Sequence, residues 1–380
     1  MPRFFPRLLI VVAALCMTGQ VTAAEPASSL QLTLPPVCYA VVGVPVSIYY
    51  DNIVLTEKPE QYGFKVECDL GKTETRRWTA TPAASDVGDH PLSISISDAE
   101  GKVIQQKKLI VHVAPADAGA GRSIRLLLVG DSLTHATLYP NEIARLLSQP
   151  GNPAWKMLGA HRPASAAEGV AHEGYGGWTW NQFVNHYRDP SQPEPKEKHL
   201  SGSPFVFAVE GGKPALDMNR YFESSCGGER PDFAMFFLGI NDCFVANPDK
   251  VEAIDAHIDG VFAHADTLIA AFRKSAPKAE LGIFLTTPAN TREAAFEANY
   301  RGAYHRWGWK RIQHRLVQHQ LEHFGGRQSE QIYIIPTELN LDPVDGYPES
   351  NGVHPNKAGY DQIGASVYAW LKSRLEADKK

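Results

Sequence analysis

The stretch 124–135, Ile-Arg-Leu-Leu-Leu-Val-Gly-Asp-Ser-Leu-Thr-His, constrains this chain more than any other. Residues 124–129 are a short apolar run of the kind that forms a strand buried on both faces. Gly130 breaks the run, a polar segment follows, and residues 139–148 bring Ile143, Leu146 and Leu147 back at helical spacing. Strand, tight glycine turn and helix together place Ser132 at the carboxyl end of a parallel strand. Open α/β sheets put their chemistry at that edge. A serine there is either a nucleophile or a helix cap.

The alternation continues beyond it. Apolar runs at 233–238, 281–285 and 331–335 read as further buried strands. Between them, residues 251–272 carry Ile254, Ile258, Val261, Ala265, Leu268 and Phe272 on one helical face, and 304–324 reads as a second helix. Asn356 is placed to cap a last helix that turns Tyr360, Ile363, Val367 and Trp370 inward. Strands alternating with helices predict an α/β class, a three-layer α/β/α domain over residues 119–380 with a mainly parallel sheet. The stretch 189–212, rich in Pro, Gly, Ser and charge, reads as an insertion or long loop.

Residues 25–118 have a different texture. Apolar and polar residues alternate through 90–98 and 103–113, with the same character at 46–50 and 64–68 and turns between them. Short strands over this length predict a small all-β, immunoglobulin-like sandwich. No surface-binding signature is legible in it, so it reads as a spacer or packing module rather than a dedicated binding module. The Pro, Gly and Ala residues of 114–122 mark the boundary.

The first 24 residues read as an export signal: Arg3 and Arg7, an apolar core at 8–17, then Val21, Thr22 and Ala23 for cleavage. That core is too short to span a bilayer comfortably. The protein is therefore expected to be secreted or periplasmic, with no membrane association once the signal is removed. Cys38, Cys68, Cys226 and Cys243 would remain. Their positions suggest the pairs Cys38–Cys68 and Cys226–Cys243, with buried free thiols as the alternative. The net charge of −5 is mild and no block of like charge stands out, so no nucleic-acid partner is expected.

Three further patches fall where a site at that sheet edge would need them. Residues 172–180, His-Glu-Gly-Tyr-Gly-Gly-Trp-Thr-Trp, are a glycine-dense turn whose backbone N–H groups can approach a ligand closely. Leu238, Gly239, Ile240, Asn241 and Asp242 end a buried strand, which sets the Asn241 carboxamide at the same edge. Asn351, Gly352, Val353, His354, Pro355 and Asn356 put a histidine in a loop before the last helix. Each patch also has a structural reading, as a tight turn, a loop or cap asparagine, and a solvated histidine.

Taken in order, these words resemble the four blocks of the GDSL-like, or SGNH, hydrolase superfamily, over roughly residues 125–371. The resemblance implies a flavodoxin-like α/β/α fold and an esterase without metal or organic cofactor. Ser132 would be the nucleophile and His354 its base. Ser132 N–H, Gly177 N–H and the Asn241 side chain would hold the oxyanion. One position departs from the pattern: the family usually has Asp three residues before the histidine, and here it is Asn351. In a serine-protease triad that replacement costs about 10⁴ in turnover. Three readings follow: a Ser-His dyad oriented by Asn351 or a backbone carbonyl, a carboxylate recruited from Asp345 or Glu349, or an inactive descendant.

Other signals compete. His319 and His323 fit an H-x-x-E-H zinc-peptidase word, but they border the apolar face of a helix crowded with polar residues. Trp178, Trp180, Phe244, Trp307 and Trp309 are candidate stacking walls, with Trp178 and Phe244 favoured because they adjoin the oxyanion words. Asp131 and Asp242 read as turn braces. The expectation is a serine esterase acting on a small-molecule or glycan ester, with O-acetyl groups of a carbohydrate as the substrate guess. A non-catalytic glycan-binding protein and a zinc peptidase are the alternatives.

Overall fold

The computed structural model describes residues 30, 32–189, 191–193 and 201–377. The segment read as an export signal lies outside these residues, as does part of the polar insertion.

Seven strands among the described residues fill the first third: β1 (Val37–Val41), β2 (Val46–Tyr49), β3 (Gly63–Glu67), β4 (Lys72–Thr73), β5 (Arg77–Ala80), β6 (Gly88–Ser97) and β7 (Val103–Ala114). They pair as a four-stranded sheet, β1-β7-β6-β3, and a three-stranded sheet, β2-β5-β4. Alternation along β6 and β7 turns Leu92, Ile94, Ile96, Leu109, Val111 and Val113 to one side, where they share a core with Ile48 and Trp78 of the other sheet. Pairing is antiparallel except that β1 runs parallel to β7.

The second part begins with β8 (Ser123–Gly130), α1 (Ser132–His135), α2 (Leu138–Leu147), β9 (Ala154–Leu158), β10 (Glu173–Gly174) and α3 (Trp180–Asn185). A small hairpin of β11 (Val206–Phe207) and β12 (Ala215–Leu216) leads to α4 (Met218–Ser225). Then come β13 (Phe233–Phe237), α5 (Ile240–Cys243), α6 (Val251–Ser275), β14 (Glu280–Phe284), α7 (Glu293–Tyr300) and α8 (Arg306–Phe324). The chain closes with β15 (Ile332–Ile335), α9 (Thr337–Asn340) and α10 (Lys357–Ala377).

The central sheet runs β9-β8-β13-β14-β15 and is parallel throughout, with β10 pairing the end of β8. This is the doubly wound order 2-1-3-4-5, and the order reverses between β8 and β13. Two-residue periodicity in the fully buried β13 builds the layers. Phe233 meets Trp370 of α10 and Phe237 meets Tyr139 of α2, at ring-centroid distances of 5.8 Å each. Phe236 faces the other way, onto Trp180 of α3 and Phe272 of α6.

The expected disulfides do not form: all four described cysteines are free thiols. Cys38 lies on β1 and Cys68 follows β3, the opposite edges of one sheet. Three inter-strand spacings amount to about 14 Å, twice the Cα separation a disulfide tolerates. Cys226 and Cys243 lie before and after β13, so the length of a strand separates them.

The β-rich part is bolted to the α/β part rather than tethered. Asn52 donates to the carbonyls of Glu338 and Leu341 at 2.6 and 2.9 Å, Thr33 Oγ1 bonds the buried His314 ring at 2.8 Å, and Lys310 pairs with Asp51. Leu339 of α9 is buried in the core of the β sheets. The 114–122 segment is pinned too, because Lys372 donates to the Ala118 carbonyl at 2.6 Å beneath α10.

Candidate active site

Ser132 is the first residue of α1, just past β8. Asp131 caps that turn: its Oδ1 accepts from the Leu133 N–H at 2.9 Å, as a brace should. Burial pushes its carboxyl up to about 7. Two glycines let the turn sit this close to the sheet. A Cβ at Gly130 would lie 2.0 Å from Thr134 Oγ1, and one at Gly174 would lie 2.6 Å from Thr134 Cβ.

The 172–180 word is stitched to the same strand end. Gly174 pairs with Gly130, and the Tyr175 N–H donates to the Gly130 carbonyl at 3.0 Å. Glu173 is fully buried beneath the loop and accepts from the Ala160 N–H and the Tyr221 hydroxyl, both at 2.7 Å, and from the Tyr175 hydroxyl. Gly177 has φ +78°, in the left-handed region that favours glycine, and its backbone is exposed at the cleft. Asn241, in α5, donates one carboxamide N–H to the Trp178 carbonyl at 3.0 Å, which leaves its second donor for a ligand. Among the described residues, no acceptor takes up the N–H of Ser132 or Gly177. Asp242 is a brace, accepting from the Trp180 N–H at 3.0 Å.

His354 Nε2 lies 2.8 Å from Ser132 Oγ. Its other nitrogen, Nδ1, is 3.3 Å from Asn351 Oδ1, which also accepts from the backbone N–H of His354 at 2.9 Å and of Val353 at 3.1 Å. Two backbone donors fix which carboxamide atom is the oxygen, so Nδ1 is the protonated nitrogen and Nε2 is free to accept from serine. Burial holds the imidazole below its ordinary pKa, so it rests as a neutral base. Asn290, also buried, clamps the loop by donating to the carbonyls of Asn351 and Pro348 at 3.0 and 2.8 Å. The recruited-carboxylate reading is set aside: Asp345 pairs with Arg76 at 2.8 Å, and Glu349 is exposed.

Ser132, Gly177, Asn241 and His354 line one cleft of about 470 Å³. Four words scattered over the chain thus meet at the carboxyl edge of the sheet, around its reversal point. The parallel sheet with helices on both faces is the α/β/α architecture expected from the sequence. No family model matches the chain, and no curated protein matches it in sequence. Similar solved structures include a family 3 carbohydrate esterase from Clostridium thermocellum, 17% identical over 68% of this chain and 100% of that one, with a TM-score of 0.38. Another family 3 carbohydrate esterase, from Talaromyces cellulolyticus, is 16% identical over 67% and 99%, with a TM-score of 0.39. An acetyl esterase mutant with acetate ion is 16% identical over 68% and 100%, with a TM-score of 0.40. Likenesses this distant carry no argument about this chain, whose chemistry rests on its own residues.

The aromatic assignments divide. Phe244 lines the cleft, stacked at 4.3 Å on the buried Trp309. Trp178 does not: its ring is wholly buried against Tyr175 and Phe183, and its part in the site is the carbonyl that holds Asn241. Trp180 is core as well. The rest of the aromatic wall is Tyr300 and Tyr304, beside Phe244 at 5.7 and 4.7 Å, which sequence spacing did not single out.

The zinc word is otherwise engaged. Arg315 stands 3.1 Å from His319 Nε2, which also faces Asp255, while His323 bonds Asp266 at 2.9 Å. A guanidinium against the first histidine opposes a metal cation there. Among the described residues, no group of three His, Cys, Asp or Glu is arranged to hold a metal.

Proposed function

We propose that this protein is a serine esterase that hydrolyses short-chain acyl esters, with an O-acetylated carbohydrate met outside the cytoplasm as its substrate. The contact between Ser132 Oγ and His354 Nε2, in the tautomer Asn351 selects, carries this reading. Ser132 Oγ attacks the ester carbonyl while its proton passes to Nε2. The developing oxyanion is met by the Ser132 and Gly177 N–H groups and the Asn241 carboxamide. The intermediate then collapses, the alcohol leaves with the proton from Nε2, and the acyl group stays on Ser132. Water, deprotonated by His354, repeats the sequence and releases the acid.

The cleft volume falls in the range of small-molecule sites. Its wall of Phe244, Tyr300 and Tyr304 supports a sugar alcohol, because ring faces stack on the C–H face of a pyranose. The uncharged Asn351 favours a second reading, a glycan-binding protein without turnover. Hydrolysis of p-nitrophenyl acetate and of acetylated sugars separates the two. Turnover by the wild type that is lost in both Ser132→Ala and His354→Ala is the expected result. A wild type silent on both substrates overturns the esterase reading in favour of binding.

A further inference from the structure

A second concavity, of about 530 Å³, lies where the N-terminal sheets meet the α/β part. Its floor is aromatic. Tyr50 and Phe64 stack in parallel, with centroids 4.6 Å apart and planes within 3°, and the half-buried Tyr62 stands beside them. The opposite wall comes from the α/β part, through Thr291, Arg306 and Val344.

We propose that this groove binds an uncharged oligosaccharide segment, namely sugar residues of the substrate remote from the ester presented to Ser132. The inference extends the esterase reading and rests on it.

The lining chemistry selects that ligand class. The exposed surface of the half-buried Tyr62 and Phe64 rings suits the C–H side of a sugar, with the buried Tyr50 backing Phe64. Around them, among the described residues, the Arg306 guanidinium, the Glu57 carboxylate and the Tyr62 hydroxyl have no hydrogen-bond or ion-pair partner and face a shared space. Donors and acceptors of both signs around an aromatic floor match hydroxyl groups, each of which donates and accepts. A polyanion would meet Asp51, Glu57 and Glu60, and a purely apolar ligand would strip water from all of these groups without replacing its hydrogen bonds.

Position supports the same occupant. Tyr300 and Tyr304 line the catalytic cleft, while Arg306, two residues on, lines the groove, so the connection from α7 to α8 separates the two. On the far side, Pro343 and Val344 lead into the loop that carries His354, and the Thr291 N–H donates to the Pro343 carbonyl at 2.9 Å. The two halves of the groove are held together by Arg76, which grips Asp342 at 3.1 Å and Asp345 at 2.8 Å, and by the Lys310–Asp51 pair. A groove locked in this way is organised before its ligand arrives, which lowers the ordering cost of binding.

The test titrates xylohexaose, cellohexaose and chitohexaose into the Ser132→Ala protein by calorimetry, with and without Tyr62→Ala or Arg306→Ala. Tyr62 and Arg306 stand apart from the Ser132 cleft. At least one hexaose is expected to bind, and each variant to weaken it about tenfold or more. With Ser132 restored, the same variants should leave p-nitrophenyl acetate hydrolysis within about twofold and raise KM for acetylated polysaccharide at unchanged kcat. Failure of every hexaose to bind, or binding that ignores both variants, overturns the inference. Binding that depends on Tyr62 in a protein without ester turnover overturns the esterase reading alone and leaves the groove as a carbohydrate site.

Discussion

Asn351 Oδ1 faces His354 Nδ1 at 3.3 Å while accepting the His354 backbone N–H at 2.9 Å. The residue thus does half of what an aspartate would do: it selects the tautomer and aims the ring, but adds no charge to steady the imidazolium that the proposed reaction forms. Asn351→Asp should therefore raise kcat, by about tenfold, because a carboxylate within hydrogen-bond reach favours the charged ring by about a pKa unit or more. Steady-state kinetics on p-nitrophenyl acetate checks it; an unchanged or lower kcat with the fold intact denies the asparagine this role.

The pH dependence follows from the same ring. Burial lowers the His354 pKa, and the neutral form is the base. Thus kcat/KM should hold as pH falls through the ordinary histidine value of about 6.5 and decline only below it. In Asn351→Asp the acidic limb should move to higher pH. A wild-type midpoint above the ordinary value contradicts this.

On the proposed mechanism Asn241→Ala removes one oxyanion donor, and it frees the Trp178 carbonyl. Turnover should fall about 10²–10³-fold, while KM changes little and thermal unfolding stays cooperative. A loss confined to KM would place Asn241 in substrate binding instead.

Glu173 is the buried acceptor for two tyrosine hydroxyls and a backbone N–H under the Gly177 loop. Glu173→Leu strands those donors, at about 1–3 kcal/mol for a buried unsatisfied group. Denaturant unfolding should show a loss of about 3 kcal/mol, with kcat reduced because the loop loses its anchor.

Two ion pairs across the junction should differ in weight. Lys310 and Asp51 are 11% and 16% exposed, so Lys310→Met leaves a half-buried carboxylate without its partner and should cost about 3 kcal/mol. Arg76 is 46% exposed, and its partner Asp342, though buried, keeps the backbone N–H groups of Val344 and Asp345, so Arg76→Ala should cost about 1 kcal/mol. Equal losses in urea titrations would contradict this ordering.

Legibility in the sequence followed the range of the forces involved. β8 and β13 were readable because both faces of each are buried, which leaves continuous apolar runs. β9 was not, since only two of its five residues are buried and Lys156 interrupts it. The words around Ser132, Asn241 and His354 stand at strand ends or loops that local pattern locates. Trp178 misled because adjacency to Gly177 does not survive a left-handed turn; the ring goes inward while the glycine stays at the cleft. Glu173 and Asn290 act through Tyr221 and Asn351, dozens of residues away, and no spacing rule reports such partners. The parallel β1–β7 pair and the junction groove are likewise products of long-range contact.

The central claim is that Ser132 is a nucleophile made reactive by His354. A fluorophosphonate probe followed by mass mapping of peptides addresses it without any choice of substrate. A single adduct on Ser132, abolished in Ser132→Ala and much slower to form in His354→Ala, is the predicted result. A wild-type protein that stays unlabelled, or is labelled elsewhere at the same rate in all three proteins, would contradict it.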